Sequence, residues 1–154
     1  MAQLDAPAGR QVSSKNPPRG GFLVYNRIMG KAKTKILLAE YDTFLASLLE
    51  NELERAGFAV QVVHDGAQVL GQLRTERPDL LITNLILPGM LGFDILTEIK
   101  RDDLLRGLPV VVLSNLSQPS DVQKAKDVGA VAYCSKQDTT VESLVETIKE
   151  QIAN

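Results

Sequence analysis

The chain is predicted to fold as a doubly wound α/β domain: a five-stranded parallel sheet with helices on both faces. Three observations predict it. Apolar runs of strand length alternate five times with stretches of helical periodicity. Val110-Val111-Val112-Leu113 is four consecutive apolar residues, as expected of a central parallel strand covered on both sides. Polar and charged residues follow the strands, at the end where ligand sites of such sheets lie. At 154 residues the chain is long enough for one domain with a substantial core.

Each element has a local reason. Lys35-Ile36-Leu37-Leu38-Ala39 is a short buried-type strand. Asp42 or Thr43 caps the helix that follows, whose apolar stripe is Leu45, Leu48, Leu49 and Leu53, ended by Ala56-Gly57. Phe58 to Val63 forms the second strand. Asp65-Gly66 opens a second helix carrying Val69, Leu70 and Leu73, with Asp65 as its cap. Asp79 to Thr83 is the third strand. The third helix follows Gly92, with Phe93, Leu96 and Ile99 inward. Pro109 to Leu113 is the fourth strand. Gln118 to Val128 is a fourth helix with a weak apolar stripe, and Val131 to Cys134 is the fifth strand. The last helix starts at Thr139 or Thr140 and turns Val141, Leu144, Val145, Ile148 and Ile152 to one face.

Composition narrows the function classes. Hydrophobic residues make up 44% and charged residues 23%, ordinary for a soluble globular protein. Net charge is −2, but unevenly distributed: residues 1–33 carry six Lys/Arg against one acid, a net of +5, and the remainder is −7. Residues 1–33 are rich in Pro, Gly, Ser and basic residues and are expected to be disordered, because they cannot bury enough apolar surface of their own. Met29, just ahead of the folded region, is the alternative: a true translation start. The basic segment lacks the charge density and motif of a nucleic-acid binder. No run is long enough to span a bilayer and there is no signal-peptide core, so a cytoplasmic location is expected. The single cysteine, Cys134, excludes an internal disulfide and reads as a buried structural thiol. His64 has no second His or Cys nearby in sequence and reads as a surface residue.

The strand ends offer Glu40, Tyr41 and Asp42 after the first strand, Asn84 after the third, Ser114 and Asn115 after the fourth, and Lys136 after the fifth. Together with Leu85-Ile86-Leu87-Pro88-Gly89-Met90-Leu91-Gly92-Phe93 and Gly129-Ala130 through Tyr133, this ordered set resembles the receiver domain of two-component response regulators over about residues 34–154. The resemblance implies a flavodoxin/CheY-like (βα)5 fold and a phosphorelay signalling role. In that family an acidic pair and an acceptor aspartate bind Mg2+, a hard cation that takes oxygen ligands. A Ser or Thr and a Lys contact the phosphoryl group, and a partly buried aromatic, matched by Tyr133, responds to the loop that moves.

The departures from the family pattern matter most. Asn84 stands where the resemblance places the acceptor aspartate, and an amide is a very poor nucleophile for phosphorus. Tyr41 stands at the second acidic position, where a neutral phenol is a poor Mg2+ ligand. Glu40 is the one remaining metal-ligand candidate, and Mg2+ binding is expected to be weak. Ser114 and Lys136 are kept. Gln137 follows Lys136 where the family usually has proline, so a trans peptide and a shifted loop are expected there. Structural roles compete with each: Lys136 pairing with Glu40, Asp42 capping a helix, Ser114 serving as a turn residue, Asn84 satisfying neighbouring backbone. The function expected is a stand-alone receiver-like module, not an enzyme, acting through protein contacts without aspartyl phosphorylation. Its partner would be a histidine kinase or an output protein, and the last two helices and last strand are a candidate homodimer face. The alternatives are an atypical acceptor at Asp42 or Ser114, deamidation of Asn84, and a flavodoxin-like enzyme or carrier. The last lacks a phosphate-binding loop after the first strand.

Overall fold

The computed structural model describes residues 32–153. The segment 1–33 expected to be disordered therefore lies, except for its last two residues, outside the described residues. The element order is β1 (Lys35–Ala39), α1 (Thr43–Arg55), β2 (Ala59–Val63), a single 3-10 turn (Gly66–Gln68) running into α2 (Val69–Glu76), β3 (Leu80–Thr83), α3 (Gly92–Arg101), β4 (Val110–Ser114), α4 (Pro119–Asp127), β5 (Ala132–Ser135) and α5 (Val141–Ala153). The strands form one sheet in the order β2-β1-β3-β4-β5, and every pairing is parallel. This is the doubly wound fold that the alternating pattern predicts.

Strand alternation divides the core in two. Ile36, Leu38, Leu80, Ile82, Val111 and Leu113 face α1 and α5. Leu37, Ala39, Leu81, Val110 and Val112 face α2, α3 and α4. β3 and β4 are buried along their whole length, consistent with their unbroken apolar runs. Each fully buried Leu, Ile or Val contributes about 1.5–3 kcal/mol.

Element ends moved by one or two residues, for identifiable reasons. Phe58 precedes β2 because its amide closes the end of α1 on the Leu53 carbonyl (3.1 Å). Pro109 has no N–H to donate, and β4 begins after it. Asp65 does cap its element, accepting from the Ala67 amide at 2.7 Å, but one 3-10 turn intervenes before α2. In α1, Leu48 is not inward: it is 45% exposed, and Ala46, Leu49 and Leu53 form the buried stripe. Leu48 lies on the flank of that stripe. α4 is the least anchored helix, with Ala125 its one buried residue.

Candidate functional site

The strand order reverses between β1 and β3, and the carboxyl ends of β1, β3, β4 and β5 carry Glu40, Asn84, Ser114 and Lys136. Three of the four are joined directly. Glu40 is almost wholly buried, at 1% exposure. Its Oε1 accepts from Lys136 Nζ at 2.9 Å and from Asn84 Nδ2 at 3.3 Å. Its Oε2 accepts from the Asp42 amide at 3.1 Å. A carboxylate this deep requires paired charge and hydrogen bonds, and it has both.

Asn84 is also buried, and both ends of its amide are used: Nδ2 donates to Glu40, and Oδ1 accepts from the Ile86 amide at 3.2 Å. These two contacts fix which way the amide points, because only the nitrogen can donate to a carboxylate. The carboxyl group of Asp42 accepts from the Leu45 amide at 3.1 Å and caps α1. Tyr41 is 52% exposed, its ring at the surface.

Ser114 is fully buried and its Oγ accepts from the Leu116 amide at 3.2 Å. The Tyr133 hydroxyl donates to the Leu116 carbonyl, so two side chains grip the same loop residue after β4. Gln137 adds a third tie, donating from Nε2 to the Asn115 carbonyl at 3.4 Å while its Oε1 accepts from Ser135 Oγ. The Lys136–Gln137 peptide is trans, as are all peptide bonds among the described residues. Burial pushes the Tyr133 phenol above its ordinary value; the Ser114 hydroxyl works against this and Asp121 adds to it. Burial likewise pushes the Cys134 thiol up, and this cysteine is the buried structural group expected.

Sequence reasoning missed two participants. Exposed His64 has Nδ1 2.8 Å from the Glu40 carbonyl oxygen, bracing the end of β1. Leu116 acts through its backbone, which leaves no signature in side-chain chemistry. Gln137 was noted only for what it replaces, not for what it reaches.

The donor set does not fit a hard divalent cation. Glu40 is the one carboxylate in the cluster, and both its oxygens are already bonded. Asp42 is turned to the helix end. Among the described residues no group of three or more His, Cys, Asp and Glu is placed to hold a metal. Chemically, the cluster is a neutral, closed network of one acid, one base and one amide.

Fold and site together define a class. Residues 36–149 match the response regulator receiver domain, and the chain belongs to that family. It is similar to the DNA-binding response regulator MtrA of Mycolicibacterium smegmatis, at 35% identity over 108 residues, covering 70% of this chain and 46% of that protein. It thus spans a little under half the length of that relative. It is also similar to the polar-differentiation response regulator DivK of Brucella anthropi, at 27% identity over 119 residues, covering 77% of this chain and 96% of DivK. Among solved structures, the signal receiver domain of a signal transduction histidine kinase from Syntrophus aciditrophicus matches with TM-score 0.71 at 29% identity, covering 78% of this chain and 89% of that one. Chemotaxis response regulator CheY4 of Vibrio cholerae shares the fold at TM-score 0.71 and 24% identity, over 77% of this chain and 98% of its own. The chain is thus a signalling domain of the two-component class, and no helix among its described residues is long and apolar enough to cross a membrane.

Proposed function

We propose that this receiver domain signals through protein contacts without accepting a phosphoryl group at position 84. One observation carries the reading: the Asn84 amide donates to Glu40 Oε1 at 3.3 Å, inside a network that Lys136 already neutralises at 2.9 Å. An amide there offers no nucleophilic oxygen of useful strength and no charge for a metal. Tyr41, half exposed, supplies no carboxylate either. Asp42 and Ser114, the alternative acceptors, are engaged in capping α1 and in holding Leu116.

Receiver domains act with histidine kinases or output domains, and a partner of that kind is the one proposed here, in the cytoplasm. Its contact face is α4, β5 and α5, which is also the face for a second copy. α4 can adapt to a partner because a single alanine anchors it.

The test is intact mass after incubation with Mg2+ and a small-molecule phosphodonor. The native chain should gain no phosphoryl mass. Asn84→Asp alone should label poorly, and Tyr41→Asp with Asn84→Asp should label more fully because it restores two oxygen ligands. A labile phosphoryl group on the native chain would overturn the proposal, and peptide mapping would then begin at Asp42 and Ser114. Efficient labelling of Asn84→Asp by itself would show that Tyr41 does not matter.

A further inference from the structure

We infer that the exposed flank of α1 is a self-association surface, on which a second copy of this chain packs its own α1 antiparallel. The contact is separate from the α4, β5 and α5 face and goes beyond the acceptor chemistry proposed above. Seven large apolar side chains are exposed among the described residues, and three of them fall within eight residues at the start of α1: Tyr41 at 52%, Phe44 at 79% and Leu48 at 45%. Near the α4, β5 and α5 face the corresponding residue is Val131 alone, just ahead of β5. Within α1, Phe44, Leu48, Asn51 and Arg55 recur at intervals of four, three and four residues and form one row along the helix, exposed at all four positions. Tyr41 stands just ahead of the Asp42 cap, at the amino end of that row. Toward α5 the row borders a groove whose apolar lining is interrupted by Lys136, Thr139 and Thr140, so the continuous feature is the row itself and not the groove. Large apolar groups left in water cost about 25 cal/mol per Å², which favours covering them.

The occupant is identified by charge, pattern and area. A two-fold contact sets a patch against its own copy, so the patch must carry no net charge. The row meets that requirement: its charged members, Arg55 and the adjacent Glu52, pair with each other at 3.4 Å. The remaining glutamates of α1, Glu50 and Glu54, lie about 160° and 120° around the helix from Leu48. A strongly charged partner finds no unpaired opposite charge on this row. When two copies cross antiparallel at Leu48, each Leu48 meets its counterpart and each Phe44 falls beside Glu52 of the second copy. Each Tyr41 then comes to the helix end that carries Arg55 of the second copy, and a guanidinium is attracted to an aromatic face. At about 200 Å² for a full aromatic side chain, the exposed parts of Tyr41 and Phe44 come to roughly 260 Å² per copy. With Leu48, Asn51 and Arg55 a pair of copies buries roughly 1,000 Å², the low end of specific contacts and the size of a transient dimer.

The experiment is sedimentation equilibrium on the full 154-residue chain, native and with Phe44→Glu, Leu48→Glu and Leu48→Lys. The weight-average mass of the native chain should rise at least about 1.5-fold between about 10 µM and about 1 mM. Each variant alone should stay monomeric over that range, with its melting temperature within about 2 °C of the native value, since these are exposed surface residues. Leu48→Glu mixed with Leu48→Lys should associate again, because opposite charges then meet across the two-fold axis. A weakened helix would not give that rescue. A native chain that stays monomeric up to about 1 mM would overturn the inference. So would association that survives both Phe44→Glu and Leu48→Glu, which would place the contact on another face. Failure of the mixed variants to associate would overturn the antiparallel crossing at Leu48. None of these outcomes depends on whether position 84 can be phosphorylated.

Discussion

Lys136→Met should be among the most damaging single changes at the strand ends, because it strands a buried charge. Glu40 is 1% exposed and the Lys136 side chain 14%, and their atoms are 2.9 Å apart. At an effective dielectric of ~20 the direct attraction is about 6 kcal/mol. Desolvation offsets much of that when the pair forms, so the pair itself is a modest net stabiliser. Removing one partner is different: the carboxylate keeps only the Asn84 and Asp42 N–H groups as donors. Breaking such a pair typically costs about 3–5 kcal/mol. At a urea slope of about 1.5 kcal/mol per M, the unfolding midpoint should fall by about 2–3 M. Glu40→Gln combined with Lys136→Met should recover most of the loss, since a neutral amide can still accept from Asn84 and no charge is left without a partner. The assay is a urea-melt double-mutant cycle at pH 7. A loss under about 1 kcal/mol for Lys136→Met would mean the pair behaves as a solvent-screened surface bridge. A double variant no more stable than the single would refute the account of Glu40 as a charge that needs a counter-charge.

Further expectations concern the partly buried phenol, the buried thiol and one glycine. Tyr133 and Cys134 both have folded pKa values raised by burial. The stability each contributes is complete below its unfolded value, about 10 for the phenol and about 8.5 for the thiol, and is lost as pH rises through the folded value. Urea midpoints should therefore fall above about pH 9, and Tyr133→Phe should flatten the part above pH 10; an unchanged alkaline limb would count against burial as the cause. Cys134 should react with a thiol reagent at least about 100-fold more slowly in the native chain than in urea, tracking global opening. Gly66→Ala should destabilise by about 2–4 kcal/mol, since a Cβ there would lie 2.0 Å from the Met90 carbonyl oxygen, a backbone atom that cannot swing aside. A loss below about 0.5 kcal/mol would mean the loop after β3 yields easily.

Periodicity was enough for the fold. Five apolar runs and the stripes between them placed all five strands within one or two residues, because burial on both faces leaves little latitude for a parallel strand. What periodicity could not resolve was which flank of α1 is inward, since Leu45, Leu48 and Leu49 spread over an arc of about 100° and the choice depends on the strand they meet. At the site, residue type told the chemistry: a buried acid beside a lysine has few outcomes other than a pair. The ties to Leu116 and Asn115 were not legible, because their acceptors are backbone carbonyls that any residue would provide. His64 was unreadable for a similar reason, since its partner is the main chain of Glu40.

The two-ended use of the Asn84 amide has a consequence for how such a chain can change over generations. An aspartate at position 84 could still accept from the Ile86 amide, but it could not donate to Glu40, and it would add a second negative charge a few ångströms from the first. The repulsion at that distance is of order 5 kcal/mol at an effective dielectric of ~20, a large share of a small domain's stability. Lys136 offsets one carboxylate well and two poorly. A single Asn84→Asp substitution therefore weakens the fold, unless a change at a second position comes first. The network ties position 84 to Glu40 and Lys136, so that the three residues are free to change together but not one at a time.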